Sequence, residues 1–202
     1  VAESGKLVPG VENILYVLAT APDGSPVVAD VHLRVGDLEV KGSTNESGFS
    51  TLRFIPSLTS IRGDQTIEVL LSARDKQGNE ANRSIALSSE IGRDQFLLRL
   101  DKAIYRAGES IEMDLYATFD QGLVFLDAVR GGQTALTATC DLEKGHGRYK
   151  MALSPEMFGS LEIHAYKIMG DGDIVRDTRI VYVQPPQELQ IQIATDRNQY
   201  AP

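Results

Sequence analysis

The residues with chemical potential in this chain are few: one cysteine, three histidines, a scatter of serines, and an acidic run near residue 171. Cys140 sits in Ala135-Leu136-Thr137-Ala138-Thr139-Cys140-Asp141-Leu142. Small, β-branched and apolar residues there predict a strand, and with no histidine or basic cluster beside it the thiol reads as buried and inert rather than as a thiolate nucleophile. His32, His146 and His164 are too far apart to share one strand or helix face and fall into no metal-ligand spacing. His164 alternates with Ile163 and Ala165, which places it on the solvent face of a strand. His146, in Lys144-Gly145-His146-Gly147, reads as part of a hairpin turn. No Gly-x-Ser-x-Gly elbow occurs, so a serine hydrolase is rejected. Asp171 and Asp173 could contribute to a calcium site, but such a site needs six to eight oxygens and only Asp177 is near in sequence. A hairpin turn is the expected reading. The chain is therefore expected to carry no catalytic, cofactor-binding or metal-binding residue and not to be an enzyme.

Charge narrows the partners. The 202 residues carry a formal charge of −8, with no basic stripe that could neutralise phosphates. Nucleic acid and direct membrane insertion are not expected, since no apolar run approaches the ~20 residues that span a bilayer and Val1-Ala2-Glu3-Ser4 does not open an export signal. Hydrophobic residues at 42% and charged residues at 24% are ordinary for a folded domain.

Whatever these side chains do, strands must position them. Alternation with a period of two is clear in Ile111-Glu112-Met113-Asp114-Leu115, in Arg148-Tyr149-Lys150-Met151-Ala152-Leu153 and in Leu189-Gln190-Ile191-Gln192-Ile193. Turn signals at Pro22-Asp23-Gly24-Ser25, Glu46-Ser47-Gly48, Lys76-Gln77-Gly78-Asn79, Arg130-Gly131-Gly132 and Gly170-Asp171-Gly172-Asp173 separate the runs. The rhythm predicts an all-β protein of two tandem seven-stranded immunoglobulin-like or fibronectin-III-like sandwiches. The C-terminal half shows strands near 96–100, 110–118, 123–129, 134–141, 147–153, 160–166 and 178–183. The N-terminal half shows six, near 11–20, 30–35, 38–41, 49–55, 66–73 and 81–87.

An internal repeat explains the missing strand. Pro9-Gly10-Val11-Glu12 aligns with Ala107-Gly108-Glu109-Ser110, each glycine followed ten residues later by a threonine after an alanine, so the halves repeat at an offset of 98. Asp101-Lys102-Ala103-Ile104-Tyr105-Arg106-Ala107 aligns with Asp196-Arg197-Asn198-Gln199-Tyr200-Ala201-Pro202 at an offset of 95. The tyrosine is read as an amphipathic packing residue at the bend. The expected organisation is a sandwich over 1–90 lacking most of its first strand, a second over 94–186, and the opening strand of a following domain over 188–202. Ser88-Ser89-Glu90-Ile91-Gly92-Arg93-Asp94 and Pro185-Pro186 read as the linkers.

The block Leu98-Arg99-Leu100-Asp101-Lys102-Ala103-Ile104-Tyr105-Arg106-Ala107-Gly108-Glu109 resembles the opening of macroglobulin domains. The succession continues through Gly122–Thr134, Phe158–Tyr166 and Asp173–Thr178, and is similar to the domain before the bait region in the alpha-2-macroglobulin family. The resemblance implies that 1–90 and 94–186 are the fourth and fifth macroglobulin domains and that 188–202 opens the sixth. It also implies a structural scaffold fragment of a peptidase inhibitor that traps its target, whose partners are neighbouring macroglobulin domains and, for the full-length protein, the trapped peptidases. The thioester pattern Cys-Gly-Glu-Gln is absent, because Cys140 is followed by Asp141-Leu142-Glu143, and a bait segment would lie beyond Pro202. Vertebrate members usually carry disulfides in this region. A chain with one cysteine therefore points to a bacterial-type member in the periplasm or cell envelope, with secretion as the alternative.

Asn45-Glu46-Ser47 and Asn82-Arg83-Ser84 match the glycosylation acceptor pattern, and in a bacterial protein both read as surface turns. The rival functions are an adhesin-like or an enzyme-accessory β-sandwich binding module. An exposed aromatic patch would favour the adhesin, and a chain without tryptophan and with 6% aromatics offers little for one.

Overall fold

The computed structural model describes residues 1–61, 63, 65–89 and 94–186. Alternating patterns become strands, and among the described residues the one helical element is a single 3-10 turn at Leu58–Ser60 capped by the Ser57 hydroxyl. The expected strand over 188–202 and the centre of the Ser88–Asp94 linker lie outside the described residues.

The first sandwich is built from β1 (Asn13–Leu18), β2 (Ala29–Val35), β3 (Leu38–Ser43), β4 (Phe49–Phe54), β5 (Thr66–Asp75) and β6 (Glu80–Ser88). β1 and β4 pair antiparallel, and the other four run in the order β3-β2-β5-β6. Ahead of β1, Ala2 bridges Leu15, and the Glu3 amide donates to the Ile14 carbonyl. Strict alternation along β2 sends Val31, Leu33 and Val35 inward against Leu15, Leu52, Phe54, Ile67 and Val69. Each such side chain contributes roughly 1.5–3 kcal/mol on burial.

The second sandwich comprises β7 (Phe96–Leu100), β8 (Ile104–Arg106), β9 (Ser110–Ala117), β10 (Gln121–Arg130), β11 (Gln133–Glu143), β12 (His146–Ala152), β13 (Gly159–Ile168) and β14 (Ile174–Gln184). These form one hydrogen-bonded run, β7-β9-β12-β11-β10-β13-β14-β8, which folds over at the turn between β11 and β12. Ile111, Met113, Leu115 and Met151 on one layer thereby meet Val124, Leu126, Leu161, Ile163 and Val181 on the other. The seven anticipated strands are all present. The short β8 was not anticipated; it pairs parallel to β14 through Tyr182, Val183 and Gln184, so the opening strand is split, with β7 on one layer and β8 on the other. A three-residue element carries too little alternation to be recognised from sequence.

Two local expectations need correction. His146 is not in the hairpin turn: Lys144 and Gly145 form it, with φ of 52° and 74°, and His146 opens β12 opposite Glu143. A two-residue hairpin requires positive φ at both central positions, which a glycine supplies and Lys144 tolerates. Asn82 is not in a turn either: it sits within β6, paired with Ser72 of β5. Asn45 is in a turn, its Oδ1 accepting from the Ser47 and Phe49 amides.

Candidate functional site

The residues singled out for chemistry are dispersed. Cys140 is buried in the second core, its Sγ within 3.5 Å of the Asp141 and Arg148 carbonyls. Burial, with Asp141 second, raises its pKa, opposite to what a reactive thiol needs. His32 lies on β2, His146 on β12 beside Asp114, and His164 on the outer side of β13 bonded to Thr178. Asp171 accepts from the Asp173 amide within the 169–173 hairpin, while Asp177 accepts from the Leu98 amide and the Arg179 guanidinium. Among the described residues no three acidic, histidine or cysteine side chains gather as metal ligands, and no helix is long and apolar enough to cross a membrane. A shallow depression of about 470 Å³ on the outer side of β3-β2-β5-β6 is floored by exposed polar groups including His32, Arg34, Lys41 and Asn82.

The most organised arrangement is the joint between the sandwiches. β7 is buried on both sides. Phe96 and Leu98 fill the second core, while Leu97 packs against Val8 and Val11 of the first sandwich, with Tyr116 alongside. The loop presenting Val8 and Val11 is held by buried Asn13, whose Oδ1 accepts from the Val8 amide and whose Nδ2 donates to the Val8 and Val11 carbonyls. Gly10, at φ 79°, turns the chain there and donates to the Pro56 carbonyl. Three backbone groups that would be buried unpaired are thus satisfied by one amide side chain.

Arg99 follows Leu97 on the same side of β7, and all five of its N–H donors are engaged. Nε and Nη2 form a fork onto Glu3 at 2.9 and 2.7 Å, Nη2 also donates to the Glu12 carbonyl, and Nη1 donates to Glu12 Oε1 and the Tyr116 hydroxyl. The guanidinium also lies 4.8 Å from the Tyr116 ring centroid. The Arg99 side chain is 12% exposed and that of Glu3 5%. Burial alone would lower the arginine pKa, but the Glu3 hydrogen bonds and charge more than offset it and the net shift is upward. For Glu12, burial opposes ionisation, and bonds from Arg53 and Arg99 overcome it to lower its pKa. A planar, bidentate cation between two carboxylates fixes orientation as well as distance. The arrangement can hold two domains at a set angle.

Sequence reasoning read residues 96–100 as a strand and missed this joint. The available signal was Leu97 and Arg99 themselves, a leucine and an arginine on the side of an alternating strand that would otherwise face water.

Fold and joint together define a tandem β-sandwich module. No family model matches the chain, and no curated protein matches it. Similar solved structures include Escherichia coli alpha-2-macroglobulin activated by porcine elastase, 14% identical, with TM-score 0.38 over 90% of this chain and 22% of that one. They also include the Clostridium thermocellum CbhA fibronectin(III)-like modules, 13% identical, with TM-score 0.33 over 94% and 95% of the two chains. A third is a bacterial ice-binding adhesin, 12% identical, with TM-score 0.32 over 90% of this chain and 61% of that one. The chain spans about a fifth of the length of the macroglobulin. At these scores none of the three is favoured over the others.

Proposed function

We propose that this chain is a non-catalytic strut of a bacterial alpha-2-macroglobulin-type peptidase trap, working outside the cytoplasm and holding two adjacent macroglobulin domains at a fixed angle. The sequence block opening at Leu98 supports the family, and the Arg99 joint supports the mechanical role. A trap that collapses around its target transmits motion only through junctions that do not bend. A fully engaged arginine between two carboxylates, flanked by an apolar contact, makes such a junction. Its partners are then the neighbouring domains of the longer protein and, through them, peptidases.

The test uses peptidases of several specificities. The chain alone is expected neither to slow cleavage of a peptide substrate nor to form a complex stable to gel filtration. In the full-length protein, Arg99→Ala is expected to reduce trapping. Inhibition by the isolated chain, or undiminished trapping by the variant, overturns the proposal.

A further inference from the structure

The outer side of the sheet β11-β10-β13-β14-β8 is unusually apolar. Leu123, Ile168 and Ile174 form a lower pole, and Ile104, Ile180 and Tyr182 an upper one. All six are exposed, Ile174 at 60% and Ile180 at 70%. Between the poles runs a polar belt, Asp127–His164–Thr178, one residue from each of three neighbouring strands. The equivalent side of the first sandwich carries Asp30, His32 and Arg34 on β2 and Glu68, Leu70, Ser72 and Arg74 on β5, with half-buried Leu70 the one large apolar residue among them. The two sheets thus differ in what they expose, and the second has the more apolar surface.

We infer that this face is the self-association surface of the chain, packing on the same face of a second copy about a two-fold axis along the belt. Five strands at ~4.8 Å spacing and about nine residues at ~3.3 Å rise give a face of roughly 700 Å², close to the ~800 Å² per partner of a standard stable interface. One pair of opposite charges is placed to match across such an axis. Arg176 lies one row below the belt, in register with Tyr166, and Glu162 one row above it, in register with Ile180. A two-fold axis along the belt exchanges the rows while keeping each strand opposite itself, setting each Tyr182 on the partner's Ile174 and each Arg176 beside the partner's Glu162, so two symmetric ion pairs form. A flat sugar does not suit the surface. Its central rings, Phe125 and Tyr166, stack on each other with centroids 5.4 Å apart, which directs their faces toward one another.

Sedimentation velocity on the purified chain from about 1 to 200 μM, a range bracketing micromolar dissociation constants, tests the inference. A concentration-dependent dimer is expected. Tyr182→Glu and, from the opposite pole, Ile174→Glu should each leave a monomer with an unchanged thermal midpoint. Glu162→Arg or Arg176→Glu alone should weaken the dimer about tenfold or more through like-charge contact, and the two together should restore it. A chain monomeric throughout the range overturns the inference, as does a dimer that ignores the pole substitutions or a double swap that fails to restore association.

Discussion

Glu3 and Asp101, 98 residues apart, occupy the same place in the two sandwiches and make the same backbone contacts. The Glu3 amide donates to the Ile14 carbonyl and its Oε1 accepts from the Ile14 amide; the Asp101 amide donates to the Glu112 carbonyl and its Oδ1 accepts from the Glu112 amide. They differ in the remaining partner. Asp101 takes the hydroxyl of Tyr105 at 2.6 Å, whereas the first repeat has Leu7 where Tyr105 would stand, and Glu3 takes Arg99 of the second sandwich instead. Loss of a tyrosine hydroxyl in one repeat frees a carboxylate for the joint.

Arg99→Ala leaves the Glu3 carboxylate buried without its counter-charge. Breaking such a pair from one side costs about 3–5 kcal/mol. The joint should open at a lower denaturant concentration than either sandwich unfolds, giving two transitions where the parent has one and a larger radius of gyration by X-ray scattering. Arg99→Lys keeps the charge but loses the fork and should recover only part of the loss.

Acid should loosen the same joint. The folded-state pKa of Glu12 is lowered, so its contribution is present above its unfolded value of about 4.3 and is lost as pH falls through the folded one. Arg99 is shifted upward and stays charged across the accessible range. Scattering profiles are expected to be constant from neutrality down to about pH 5 and to expand below pH 4. Expansion already at pH 6 would contradict this assignment.

Tyr105 acts at the other end of the pH scale. Burial first, and the bond to Asp101 second, raise its pKa, so the fold favours the neutral phenol. That stability is whole below the unfolded value of about 10 and is lost as pH rises through the folded one. Tyr105→Phe should cost about 1 kcal/mol near neutrality and reduce the alkaline loss of stability, read from thermal midpoints at pH 8 and pH 11.

Cys140 should be silent toward an aromatic disulfide reagent in the native protein and react at the rate of unfolding once denaturant is added. Fast labelling of the folded chain would show that the thiol is open, against its 7% exposure. Cys140→Ser keeps a donor within reach of the Asp141 and Arg148 carbonyls and should destabilise the second sandwich by no more than about 1 kcal/mol.

Gly10 and Gly108 show what sequence determined. Each turns the chain with positive φ, 79° and 86°, after an opening segment, and their spacing locates the repeat, because few residues other than glycine adopt that backbone at low cost. Period-two alternation likewise located seven of the eight strands of the second sandwich and six of the first, since one side of each must leave water. These are local properties, decided by a residue and its near neighbours. The joint is not. Arg99 and Glu3 lie 96 residues apart, and nothing in either neighbourhood identifies its partner; an arginine beside a leucine on an alternating strand reads as solvated until a second sandwich is laid against it. Tertiary structure decided that β7 is buried on both sides, that β8 crosses to the other layer, and that Asp177 serves the Leu98 amide rather than the nearby acids. Pairing across a hundred residues depends on the mutual placement of two folded cores, which no local pattern encodes.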